Sequence, residues 1–242
     1  MASLRALAQC IGVDGGDISI LGHFLGFARW RIPSDPTGAP VQISLKRQAQ
    51  RLQGKHLHLN VIAVGSDNFT DAEYERIDYM IYKTRNIYNQ RSLGVGRVQH
   101  WIISVADADG LDAPTSKGQL EELTDRWEVD NNGIDLFIPH DMNIPSGTGI
   151  LLGRSPNPGP CMSDGKDKKG QDSPVSGLWG SDQLARTSAH EVGHYLDLDH
   201  KNSSPDNLMC QSGKANSIRN STDLTSSQGS EMRGHCMVWN GC

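Results

Sequence analysis

Two histidines four residues apart, His190 and His194, with Glu191 beside the first, make the pattern His-Glu-x-x-His inside the stretch Ser188–His200. On an α-helix, residues four apart share a face, so both imidazoles point the same way and can bind one zinc ion. Glu191 is too close in sequence to be a third ligand, but it is well placed to hold a metal-bound water. A third histidine, His200, follows six residues after His194. No continuous helix brings positions 194 and 200 to one face at one height. The helix must therefore end near Leu196, and the chain must turn back sharply for His200 to reach the metal. Three protein ligands with one open position is the catalytic zinc pattern, whereas structural sites usually close all four.

The long form of this motif, with the third histidine ten residues after the first, resembles the zinc signature of the metzincin metallopeptidases. Asp206-Asn207-Leu208-Met209 is similar to the methionine turn of that family, with Met209 as its methionine. The chain departs from the family pattern at Asp197, which stands where the family has a helix-breaking glycine. Asp is one of the few other residues that tolerates the left-handed conformation. The short spacing from His200 to Met209 looks most like the pappalysin group. Astacins and serralysins add a tyrosine contact two residues after the methionine. Gln211 occupies that position here, so no tyrosine ligand is expected from the turn.

The resemblance implies a zinc-dependent endopeptidase acting on a protein or peptide substrate. Zinc on His190, His194 and His200 would lower the pKa of its bound water towards about 7. Glu191 would take the proton as the water attacks a peptide carbonyl, then give it to the leaving amine. The substrate would lie extended along an edge strand near Gly149–Gly153 and add main-chain hydrogen bonds. Two other readings stand beside this one. The first is a zinc-binding protein without turnover, which Asp197 supports. The second is a toxin or effector protease with one target.

Other residues carry weaker signals. His56 and His58 alternate on a strand and could hold a metal as a pair, although exposed positions are the expectation. His100, His140 and His235 have no partner at ligand spacing. Asp164–Asp172 brings three carboxylates into one loop, which could serve Ca2+, but three lysines there oppose a cation. Cys10 lies ahead of the catalytic region and is loosely similar to a prosegment cysteine whose thiolate blocks the zinc; the plainer reading is a cysteine in an ordinary extension. Five cysteines leave at least one free or paired between chains. A Cys210–Cys236 bridge would tie the methionine turn to the last helix, and oxidised pairs imply an extracytoplasmic, secreted location.

The elements that must position this site can be read from periodicity. Leu57–Val64 begins by alternating and becomes continuously apolar, as a central strand does. Asp67–Asn89 is a helix with a Thr70/Glu73 capping box, and Tyr74, Ile77, Ile81 and Tyr88 form its core face. Val98–Val105, Ile134–Ile138, Ile150–Gly153 and Ser176–Trp179 are further strands. Ser116–Val129 is a second helix, Asp182–Leu196 the zinc helix, and Leu224–Arg233 a capped terminal helix. The fold class expected is mixed α+β, a twisted mixed sheet backed by helices. Residues 1–55 form an N-terminal extension or prosegment, 56–200 the upper catalytic part, and 201–242 a lower part with the methionine turn. Net charge of −5 gives no reason to expect a nucleic-acid partner. No apolar run is long enough for a membrane span. Hydrophobic residues at 36% with 26 glycines suggest much loop, and a monomer is expected.

Overall fold

The computed structural model describes residues 54–161, 173–211, 213–215 and 219–241. Cys10, the short strands expected within 18–32, the basic stretch 41–52 and the Asp164–Asp172 loop lie outside the described residues.

In chain order the strands are β1 (Lys55–Val64), β2 (Gly94–Ile103), β3 (Ile134–Pro139), β4 (Pro145–Ser146), β5 (Gly149–Ile150), β6 (Gly153–Arg154), β7 (Val175–Ser176) and β8 (Trp239–Asn240). The helices are α1 (Asp71–Asn89), α2 (Val105–Ala108), α3 (Lys117–Arg126), α4 (Ser181–Tyr195) and α5 (Ser226–Gly234). The fold is mixed α+β. The main sheet runs β2-β1-β3-β7-β6, parallel throughout except for the last pair, in which β6 lies antiparallel to β7.

β1 is buried on both faces, with β2 on one side and β3 on the other. Leu57, Leu59, Val61 and Ala63 pack on one side with α1 and α4, among Ile77, Met80, Ile81, Tyr88, Ala189 and Val192. Ile62 and Val64 pack on the other side with Leu120 and Leu123 of α3. Each fully buried Leu or Ile contributes about 1.5–3 kcal/mol relative to an exposed one. That burial fixes the zinc helix α4 against α1, and Tyr88 Oη donates to the Ala189 carbonyl at 2.8 Å to pin their relative height.

Local sequence sets the helix ends. Thr70 and Glu73 form the capping box of α1, and a short 3-10 turn at Ser66–Asn68 occupies what periodicity assigned to the helix start. Thr225 and Gln228 form a second capping box at α5. The stretch expected as one strand at Ile150–Gly153 divides instead between β5, which pairs with β4 as a hairpin, and the edge strand β6. β8, which periodicity did not suggest, pairs antiparallel with the start of β1.

Two expectations about side chains are corrected. His56 and His58 are buried, only 2% and 3% exposed, instead of facing solvent. The cause is Gly96 on the neighbouring strand: a Cβ there would sit 2.9 Å from His58 Nδ1 and 3.1 Å from His56 Cδ2, so its absence makes room for both rings. His58 Nδ1 accepts from the Arg97 amide at 3.0 Å, and burial together with the Arg97 charge pushes its pKa down to about 3. It is thus a neutral, satisfied core histidine. The second correction concerns the cysteines. Cys236 pairs with Cys161, with Cα atoms 5.8 Å apart, and Cys210 is free and buried. Cys236 lies beyond the end of α5, next to the segment 157–161 that crosses the C-terminal end of α4. Cys210 points inward, its Sγ 3.9 Å from Asn202 Oδ1.

Candidate metal centre

α4 carries His190 and His194 one turn apart and ends one residue after His194, at Tyr195. Asp197 then takes a positive φ of 77°. Its amide donates to the His194 carbonyl at 2.9 Å, and the Leu198 amide donates to the Gly193 carbonyl at 3.0 Å. Those two bonds are the Schellman pair that closes a helix through a left-handed residue. The turn reverses the chain and brings His200 back to the face of the helix. Asp197→Gly is therefore expected to be neutral or to stabilise the fold by up to about 1 kcal/mol, whereas Asp197→Val destabilises it by about 1–2 kcal/mol and weakens zinc binding. Thermal melts and zinc titrations of the two variants check this; equal behaviour would mean that no special backbone is needed there.

The turn also orients the second ligand. His194 Nδ1 lies 2.6 Å from the Leu198 carbonyl oxygen, and His190 Nδ1 lies 2.7 Å from that of Leu208. A carbonyl oxygen only accepts, so both Nδ1 atoms carry their ring proton and both Nε2 atoms present a bare lone pair. The His194 Nε2 is 3.1 Å from the His190 Nε2 and 3.1 Å from the His200 Nε2. Between His190 and His194 neither Nε2 has a proton to share, so the contact is not a hydrogen bond. The two lone pairs face one another as the donors around a single cation would. Two nitrogens on one tetrahedral zinc are roughly 3.3 Å apart, given Zn–N distances near 2.0–2.1 Å. The three histidines, with mutually accessible donor atoms, fit that ion. Burial pushes the pKa of His194 down to about 4 and that of His190 well below its ordinary value, and lowers that of His200; all three are neutral, as ligands must be.

Glu191 is buried on the same helix beside the ligands. Burial pushes its carboxyl up to about 8, while the Arg186 guanidinium acts in the opposite sense. A divalent cation on the histidines would act in the same sense as Arg186. Its neighbour across the cleft is Gly153 of the edge strand, where a Cβ would fall 2.7 Å from Glu191 Oε1. In the sequence Gly153 closes the strand Ile150–Gly153 and bounds the expected substrate edge Gly149–Gly153, and nothing there points to contact with Glu191. A glycine closing an apolar run was the available sign that something approaches its backbone closely.

Met209 is fully buried and lies under α4 at Gly193, where a Cβ would meet its Sδ at 2.9 Å. The turn around it is held from several sides. Asn207 Oδ1 accepts from the Met209 amide at 2.9 Å, and the Asn207 and Gln228 side-chain amides bond each other reciprocally at 2.8 and 3.0 Å. The Lys201 amide donates to the Met209 carbonyl at 2.9 Å, tying the residue after His200 to the turn. Gln211 lines the cleft with the histidines.

Arg186 was not singled out from sequence. It is 3% exposed and donates to the carbonyls of Leu208 (2.7 Å) and Cys210, and through Nε to Ser221 (3.4 Å). The sign was its spacing: it lies four residues before His190 and so on the ligand face of the helix. His56 and His58 sit apart from the centre, and neither joins the metal-ligating group found among the described residues. His235 caps α5 and packs its ring on Tyr195.

The cleft encloses about 570 Å³, lined by the histidines and Glu191 and by the segment 149–155 that carries β5 and β6. No described helix is long and apolar enough to cross a membrane.

No protein-family model matches the sequence, and no curated protein matches it. Among solved structures the chain is similar to archaemetzincin from Methanopyrus kandleri, at 11% identity over 73% of this chain and 94% of that one, with a TM-score of 0.48. It is also similar to metalloproteinase-II from Bacteroides fragilis, at 13% identity over 76% of this chain and 53% of that one, with a TM-score of 0.49. A chain in a chaperone–substrate complex aligns at 14% identity over 76% of this chain and 35% of its own length, with a TM-score of 0.43. Likeness this slight leaves the chemistry to be read from the site's own atoms.

Proposed function

We propose that this chain is a zinc-dependent endopeptidase of the metzincin type, with His190, His194 and His200 as ligands and Glu191 as the catalytic base. The observation that carries the reading is the convergence of three Nε2 atoms, with the Nδ1 protons of His190 and His194 already committed to main-chain carbonyls. Zinc held there would acidify water and polarise a carbonyl. The chain's own part is positional. Glu191 takes the proton of the attacking water on its carboxylate and returns it to the departing amine. β6 is the last strand of the sheet among the described residues, so an extended peptide would pair with its outer edge and pass in front of Glu191. Asp197 occupies the left-handed helix end that the family's glycine serves, so it gives no support to an inactive site.

Finer points belong to the same reading. The short spacing between His200 and Met209, with Gln211 in place of a tyrosine, supports the pappalysin-like group. The Cys161–Cys236 bridge supports an oxidising, secreted location. A monomer acting on protein or peptide is the simplest form of the proposal.

The expected result is about one zinc per chain, measured on purified protein, and cleavage of an unstructured protein that stops with a chelator and returns with added zinc. His190→Ala and His194→Ala should each lose the metal. Full zinc content in both variants would overturn the ligand assignment, and cleavage insensitive to the chelator would overturn the mechanism.

A further inference from the structure

A buried arginine needs a reason. Taking a guanidinium out of water costs several kcal/mol, and every described hydrogen bond of Arg186 goes to a main-chain carbonyl, none to a carboxylate. A methionine or leucine would fill the same space more cheaply. Besides setting a charge near Glu191, the guanidinium bonds to two residues at once on either side of Met209, namely Leu208 and Cys210, which neither replacement could do. The Leu208 carbonyl is also the acceptor of the His190 Nδ1 proton, at 2.7 Å from each donor. The side chain one helical turn before the first ligand thus grips the same oxygen that orients that ligand. A third bond, to the Ser221 carbonyl, anchors the guanidinium to the segment leading into α5.

We infer that Arg186 is a positioning residue of the metal centre: by holding the carbonyls that flank Met209, it fixes the height and direction of the Leu208 oxygen and, through it, the rotation of the His190 ring. The inference rests on the zinc-site reading above and extends it beyond the ligands. Groups that orient metal-ligating histidines typically set metal affinity by about 10–100-fold. Nη2 makes the bonds to Leu208 and Cys210 while Nε makes the one to Ser221, so a lysine, which keeps the charge but ends in a single and less extended ammonium, cannot hold all three carbonyls.

The test uses the full chain with Arg186→Lys and Arg186→Gln, reading zinc affinity by competition with a chelator and the visible spectrum after cobalt substitution. Both variants are expected to bind zinc about 10–100-fold more weakly than the unaltered chain. Their cobalt bands should shift in position or intensity, because the geometry of the His190 ligand changes. A purely structural arginine would lower the melting temperature and leave the affinity and spectrum of the folded fraction alone. Affinity within twofold and an unchanged spectrum in both variants would overturn the inference. So would failure of both to fold even at saturating zinc, since Arg186 would then belong to the fold and not to the metal centre. Absence of zinc binding by the unaltered chain would instead remove the reading on which the inference rests.

Discussion

Glu191→Gln should bind zinc as the unaltered chain does and hydrolyse peptides slower by about 10²–10⁴-fold. The amide has the shape of the carboxylate and fills the same space against Gly153, so no cavity opens and no neighbour shifts. What disappears is the ability to accept a proton. The substitution also removes a group whose ionisation burial opposes, Arg186 being the counterweight. Above the ordinary carboxyl pKa of 4.5 the variant should therefore be at least as stable as its parent, because a group whose ionisation the fold opposes is gone. Metal content, thermal melting and single-substrate kinetics on the same preparation separate these effects. Turnover within threefold of the parent would place the proton acceptor elsewhere.

The second large effect is expected at Gly153. A Cβ at this position would lie 2.7 Å from both Cγ and Oε1 of Glu191 and 2.8 Å from the Val175 carbonyl oxygen. The Glu191 side chain can swing away, but the Val175 carbonyl belongs to the β6–β7 ladder and cannot. Gly153→Ala therefore displaces the carboxylate, and Gly153→Val does so further while narrowing the cleft. A misplacement of about 1 Å costs catalysis on the order of 10²-fold. Zinc content should be unchanged, since none of the three atoms nearest the new methyl group belongs to His190, His194 or His200. The control is Gly149→Ala on the same wall of the cleft, where a Cβ meets nothing within 4 Å. If Gly153→Ala and Gly149→Ala retain equal kcat/KM, the close approach of Glu191 to the edge strand has no catalytic meaning.

The clustering of the three histidines was legible in the sequence because helical spacing converts directly into geometry: His190 and His194 share a face on any helix. The break before His200 followed from the same arithmetic, and the left-handed Asp197 is where that break required it. The central strand and the capped helix α1 were legible for a similar reason, since their signals are local. What escaped the sequence depends on contacts between distant segments. Burial of His56 and His58 follows from a glycine on another strand. The partner of Cys236 is set by the path of 157–161 over Tyr195, whose hydroxyl donates to the Pro160 carbonyl at 2.7 Å. The work of Arg186 is done on carbonyl oxygens, which leave no trace in residue identity.

The pairing of the last described strand with the first has a bearing on when a cell meets this cleft. β8 joins β1 at Lys55 and His56, and Cys236 closes a link to Cys161, 75 residues earlier. Asn207, beside the methionine turn, waits for Gln228. A ribosome that has released the zinc helix has thus not yet released the parts that hold its ligands in register. The cluster takes its final form only after residues 207–240 have followed the helix out, and the Cys161–Cys236 link closes only where thiols can be oxidised. A nascent chain that carries His190 and His194 without the later segment lacks the contacts that hold the histidine cluster in register, so the order of synthesis sets when the cluster forms.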